Sequence, residues 1–260
     1  MYDAVEFLLT WTLGGAGLLL QTLAHLMQPL SAVAWARALA ATGVPAIDAE
    51  SRTEAAAEAA WVELLAAAAA DESADLAAAA FIQQGDGAAR GGGGLRDAAG
   101  RPAMLVLASR FSPAAYEPAR AARYVLREVE ACAGRAGDGD YAVVVVATGA
   151  DPGVNAPPAA WLRGLWAALP PRRRSGLRQL VVLHPGLHLR AALWALAPPE
   201  LQPRVTYVHR LEFLWDVLAK RTCPELPAAV AQHDAELETH PLIDYGIVAM
   251  RPATGPDAAM

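Results

Sequence analysis

Apolar and polar positions follow three different rhythms along this chain, and each predicts a different kind of element. From Phe7 to Ala36 there is no Asp, Glu, Lys or Arg, and Val5, Leu8, Leu9, Leu13, Ala16, Leu19, Leu20 and Leu23 recur at helical spacing. The span exceeds the roughly 20 residues that cross a bilayer. Thr10, Thr12, Gly14, Gly15, Gly17, Gln21, Thr22, His25, Gln28 and Pro29 dilute it, so the pattern equally suits a helical hairpin docked on a domain. Both readings, membrane contact and docking, stand at this level. Glu54 to Ala70 predicts a helix, with Trp61, Leu64, Leu65 and Ala68 along one side. A second helix is expected from about Asp75 to Ile82. Gly85 to Gly100, with Gly91 to Gly94 in a row, then reads as a flexible loop.

Beyond the loop the rhythm changes to short apolar runs separated by helical stretches, the pattern of βαβ units and a mostly parallel sheet. Strands are predicted at Ala103 to Ala108, Tyr141 to Ala147, Leu177 to Leu183 and Arg204 to Val208. Helices are predicted at about Pro118 to Ala133, Pro158 to Leu169, Leu187 to Ala197 and Leu211 to Ala219. The unbroken apolar run from Tyr141 to Ala147 marks an interior strand covered on both faces. Ligands of such sheets gather outside the carboxyl ends of the strands, which directs attention to Ser109, Thr148 to Asn155, and His184 to His188. The expected fold class is α/β: a mixed, mostly parallel sheet flanked by helices, with an N-terminal helical extension. The expected divisions are an apolar segment at 1–46, a helical lead-in at 47–84, the glycine-rich loop at 85–100, the α/β domain at 101–250 and a tail at 251–260.

Composition narrows the partners. The formal net charge is -6 and the pI about 5.5, without the Lys and Arg surplus that neutralises phosphates, so DNA and RNA drop away. Cys132 and Cys223 are the only cysteines, too few for a disulfide framework and without the spacing of a zinc site. A reducing, cytoplasmic setting is the default. Asp3 and Glu6 stand where a secretory signal needs a basic start. The glycine run precedes a strand and leads into no Lys-Ser/Thr, so it matches neither a dinucleotide fingerprint nor a P-loop. No cofactor is implied.

The order of motifs carries a resemblance. Gly100-Arg-Pro-Ala-Met-Leu-Val-Leu-Ala-Ser, Tyr141-Ala-Val-Val-Val-Val-Ala-Thr, Trp161-Leu-Arg-Gly-Leu-Trp and Leu177-Arg-Gln-Leu-Val-Val-Leu-His-Pro-Gly occur in that succession. Leu189-Arg-Ala-Ala-Leu-Trp-Ala-Leu, Arg204-Val-Thr-Tyr-Val-His-Arg-Leu and Leu226-Pro-Ala-Ala-Val-Ala-Gln-His-Asp continue it. Together, over about Asp75 to Tyr245, they resemble the divergent CRAL-TRIO domain, also called the BCH domain. They are similar to the C-terminal domains of ganglioside-induced differentiation-associated proteins and the N-terminal domains of some Rho GTPase-activating proteins. The resemblance implies a lipid-exchange fold or a signalling scaffold that binds small GTPases and itself, without catalytic residues. Gly186 replaces the family's usual Thr after His-Pro, Val145 and Val146 replace aromatics of its central strand, and Ala229 and Ala231 replace aromatics of its closing segment.

His184, followed by Pro185, ends an apolar strand, a place commonly taken by a histidine bonded to backbone. A different class of function, a small hydrolase-like α/β enzyme, would use Asp151, Asn155 and His184 at the strand ends. The chain has no Gly-x-Ser-x-Gly nucleophile elbow, and His184 and His188 have no evident third metal ligand. Arg172, Arg173 and Arg174, with Arg178 close by, form a basic cluster that reads either as a solvated loop or as a surface for anionic headgroups or an acidic partner. The resemblance implies that Leu187 to Leu196 is the helix that gates a lipid pocket, while its pattern equally suits an ordinary crossover helix covering the sheet. Its residues expected to meet a lipid or other hydrophobic ligand are Leu187, Leu189, Ala192, Leu193 and Leu196, together with His184.

Overall fold

The computed structural model describes residues 54–71, 74–84, 94–112, 115–151, 154–157, 159–219 and 225–240. The apolar segment of residues 7–36, Cys223 and the tail lie outside them. Two helices lead in, α1 (Glu54–Ala70) and α2 (Ala74–Ala78). A short β1 (Ile82–Gln83) then runs antiparallel to β2 (Ala103–Leu107), and β3 (Tyr141–Val146), β4 (Leu177–Leu183) and β5 (Val205–Val208) follow in parallel. The sheet order is β1-β2-β3-β4-β5. β3 is therefore the middle strand, the position its apolar run demands.

Parallel neighbours joined in chain order by right-handed crossovers place all their connecting helices on one face of the sheet. Those connections are α3 (Pro118–Ala133), α4 (Ala159–Ala168) with α5 (Pro171–Gly176), and α6 (Leu187–Leu196). Side chains of α3 and α4, and Ala197 at the end of α6, pack with Met104, Val106, Val143, Leu180 and Val205 of the sheet. The opposite face carries Leu105, Val144, Val181 and Val208, covered by α7 (Leu211–Val217) and α8 (Ala228–Thr239) through Leu214 and Val230. Against the outside of α3, α1 is fastened by Trp61, whose Nε1 donates to Glu130 at 3.0 Å.

The expected helix beyond Asp75 ends at Ala78, not Ile82. Phe81 is drawn into an aromatic cluster, its ring 5.4 Å from both Phe111 and Tyr124. Its carbonyl accepts from the N–H of Leu107, which turns the following residues into β1. The described end of the expected flexible loop, residues 94–100, is an ordered turn. Leu95 is buried against the α7 and α8 face. The buried Asp97 accepts from the backbone N–H groups of Ala99 and Arg101 and from the Arg101 guanidinium.

Candidate ligand-binding site

The two faces of the central strands are covered unequally. On the side of α7 and α8, Ala142, Val144, Val146, Val181 and Leu183 are at most 1% exposed. On the crossover side, Val143 and Val145 of the same middle strand stay partly exposed, as do Val106, Leu180, Val205 and Tyr207. A middle strand loses solvent on both faces when the layers above it fill the space. Here the layer on the crossover side buries Met104 and Val182 but leaves Val143 and Val145 partly exposed.

That layer includes α6, whose sequence Leu-His-Leu-Arg-Ala-Ala-Leu-Trp-Ala-Leu is apolar nearly all round. A helix of that composition belongs in a core. Yet none of its described side chains is buried: Leu189, Ala191 and Leu193 are intermediate, Leu187 is exposed, and Trp194 is 78% exposed. Of the expected ligand residues, Leu187 faces solvent and Leu189 and Leu193 are half-buried. The side chains of Ala192 and Leu196 lie outside the described residues. Among the described residues, Arg190 is a polar tie between α6 and the sheet. Its guanidinium donates to Nε2 of His209 at 2.7 Å and lies over the Tyr207 ring, 5.0 Å from its centroid. Burial pushes the Tyr207 phenol up, against the opposing pull of Arg190.

His184 stands elsewhere. By strand alternation it belongs on the α6 side with Leu180 and Val182, but its φ of 50° is left-handed, a conformation a non-glycine residue adopts at a cost of about 1–2 kcal/mol. The following Pro185 also disfavours compact backbone at this position. With this turn the ring meets the other layer. Asp234 of α8 lies 3.2 Å from Nε2 and the Thr148 hydroxyl 2.7 Å from Nδ1. An ionised carboxylate only accepts, so Nε2 carries the proton and donates to Asp234, and Nδ1 accepts from Thr148. The His184 N–H donates to Val208 at 2.9 Å, and the His233 ring stands edge-on at 4.9 Å.

Asp234 is the hub of this network. It also accepts from the N–H of Leu211, the first residue of α7, at 2.6 Å, and from Arg210, which reaches Glu238 as well. Burial alone would raise its carboxyl, but the Leu211 N–H, Arg210 and His184 outweigh burial and hold it below its ordinary value. Hydroxyl, imidazole and carboxylate in a row are also the components of a hydrolytic triad. The His184 side chain, however, is 0% exposed. The row joins the ends of β3 and β4 to α7 and α8, so His184, expected among the ligand residues, is enclosed on the α7 and α8 side.

The other candidates take separate places. Gly149, with φ of 69°, turns the chain after Thr148, and Asn155 closes the following loop by donating to the Gly149 carbonyl and accepting from the N–H of Asp151. Among the three arginines of the expected basic cluster, Arg172 is exposed. Arg173 is buried and grips Glu130 with two bonds of 2.6 Å, and Arg174 donates to the carbonyls of Leu169 and Ala167. Arg173 is thus an internal tie of α5 to α3, which corrects its expected place on a headgroup or partner surface. Cys132 is buried, and burial raises its thiol despite the opposing Arg135. Among the described residues no helix is long and apolar enough to cross a membrane, and no group of His, Cys, Asp and Glu could hold a metal ion.

Sequence reasoning missed Tyr207, Arg190 and His209. The signal available was a single Arg in a mostly apolar helix, followed by a strand that leads into Tyr-Val-His. Residues 100–236, more than half of the chain, match the family model described as divergent CRAL/TRIO domain. No curated protein matches the chain.

Proposed function

The chain belongs to the divergent CRAL/TRIO family, and from that premise we propose that it binds a lipid or other small hydrophobic molecule between the sheet and α6 without transforming it. The observation that carries this reading is the mismatch at α6. A helix apolar on nearly every side seats no described side chain in the core, and on the same face of the sheet Val143 and Val145 of the middle strand remain partly exposed. At about 25 cal/mol per Å², apolar surface left partly exposed on the helix and on the sheet is a driving force for an apolar guest. Small Val side chains at 143, 145 and 205 keep the floor low, and Leu189 and Leu193 offer a roof that a shift of α6 can raise.

Native mass spectrometry of the full chain purified from cells tests the reading, with uptake of a fluorescent acyl probe as the quantitative arm. A retained lipid and saturable uptake are expected. Leu193→Asp, which puts a charge against the guest, should abolish uptake while leaving the chain folded. Leu193→Ala should weaken uptake by less, since shortening a half-buried Leu removes only part of its apolar contact. Absence of both retained lipid and uptake would refute the proposal. Turnover of a lipid ester that His184→Gln abolishes in a folded chain would refute its non-enzymatic part.

A further inference from the structure

We propose that the outer face of α4 and α6 docks on an anionic lipid bilayer, with Leu162, Leu187 and Trp194 entering the interface and Arg163 and Arg172 meeting the headgroups. The charge is segregated in the sequence. A chain of net charge -6 gathers six arginines and no Asp, Glu or Lys between Pro152 and Pro199, the stretch that forms α4, α5, β4 and α6. Four of the six are tied within the fold: Arg173 to Glu130, Arg174 to the carbonyls of Leu169 and Ala167, Arg178 to Asp140, and Arg190 to His209. The other two, Arg163 of α4 and Arg172 of α5, are exposed. Glu200, the acid that ends the stretch, accepts from Nε1 of Trp166 at 3.3 Å.

The same layer turns apolar side chains to solvent. α4 and α6 contact each other on one face of the sheet, so the side chains they expose lie on the outside of the layer. Leu187 and Trp194 are seven residues apart, two helical turns, and share one side of α6 about 10 Å from each other. They are 37% and 78% exposed, and Leu162, next to Arg163 on α4, is 39% exposed. A membrane–water interface suits an exposed Trp, whose ring is apolar and whose N–H stays wet. Arginines add attraction to anionic lipid. An acidic polypeptide would satisfy the arginines and leave Leu162, Leu187 and Trp194 in water, so a bilayer fits both halves of the surface. This face lies outside the layer and does not depend on a guest between the sheet and α6.

Co-sedimentation of the full chain with vesicles tests the assignment, using phosphatidylcholine alone and phosphatidylcholine with about one third phosphatidylserine. Binding to the anionic vesicles is expected, weakened by salt, with little on the neutral ones. Each arginine contributes about fivefold at a charged surface, so Arg163→Gln combined with Arg172→Gln should weaken binding roughly 25-fold. Trp194→Ala should weaken it about tenfold. Phe213→Ala, which removes an exposed aromatic from the opposite layer, should leave it unchanged. All four positions are exposed, so the variants should fold, and circular dichroism verifies it. Equal binding to both vesicle types, no binding to either, or undiminished binding by the folded Arg163/Arg172 and Trp194 variants overturns the docking face. Soluble polyglutamate that binds as tightly as the anionic vesicles, and as tightly to Trp194→Ala as to wild type, overturns the bilayer in favour of an acidic protein.

Discussion

Replacing Glu130 by Gln isolates the tie that fastens α1 and α5 to α3. Arg173 donates through Nε and Nη2 to the two carboxylate oxygens, each at 2.6 Å, and Trp61 adds a third donor at 3.0 Å. Gln keeps one acceptor oxygen, loses the other, and loses the charge. A hydrogen bond to a charged group contributes about 1.5–3 kcal/mol. The Arg173 side chain is 10% exposed and that of Glu130 28%, so solvent screens part of the pair, and about 2 kcal/mol of lost stability is expected at neutral pH. For a domain of this size that lowers Tm by about 4–8 °C. The loss should also depend on pH. Burial alone would raise the Glu130 carboxyl, but the bonds from Arg173 and Trp61 and the charges of Arg173 and Arg172 hold it below its ordinary value of 4.5. A depressed carboxylate contributes its stability above the unfolded pKa and loses it as pH falls through the folded one. The gap between wild type and variant should therefore be full at neutral pH and shrink below about pH 4. Urea unfolding at both pH values measures it. A variant within about 0.5 kcal/mol of wild type at neutral pH, or a gap that acid leaves untouched, would show that the tie does not hold the helices.

Asp234→Ala removes the partner of His184, Arg210 and the Leu211 N–H together. A loss of about 3 kcal/mol is expected, with faster hydrogen exchange in α8 and the first turn of α7 ahead of the sheet; uniform exchange would contradict its role as a hub. Tyr141→Phe leaves the carbonyl of Arg173 without its buried donor, now at 3.1 Å, and should cost about 1 kcal/mol in urea unfolding with no change in slope. A neutral result would mean that water or a shift of α5 replaces the bond.

Periodicity determined the parts of this protein whose local pattern and tertiary fate agree. Helix α3 and strand β4 fall at their expected bounds, Pro118–Ala133 and Leu177–Leu183, because an amphipathic stripe and an apolar run each have one good way to be buried. The interior place of β3 was legible for the same reason, and so was the family, through the order of its motifs. Tertiary structure decided the rest. Phe81 left its helix because an aromatic cluster distant in sequence offered more burial than another helical turn. Arg173 was withdrawn from the surface by a carboxylate 43 residues away, and composition cannot distinguish a buried guanidinium from a solvated one. His184 sits at the strand end that the sequence indicates, yet a positive φ turns it away from the α6 side, an inversion that no spacing rule encodes. The juxtaposition of Arg190 with Tyr207 and His209 arises because a crossover returns α6 over β5, and that pairing exists only once the sheet is assembled.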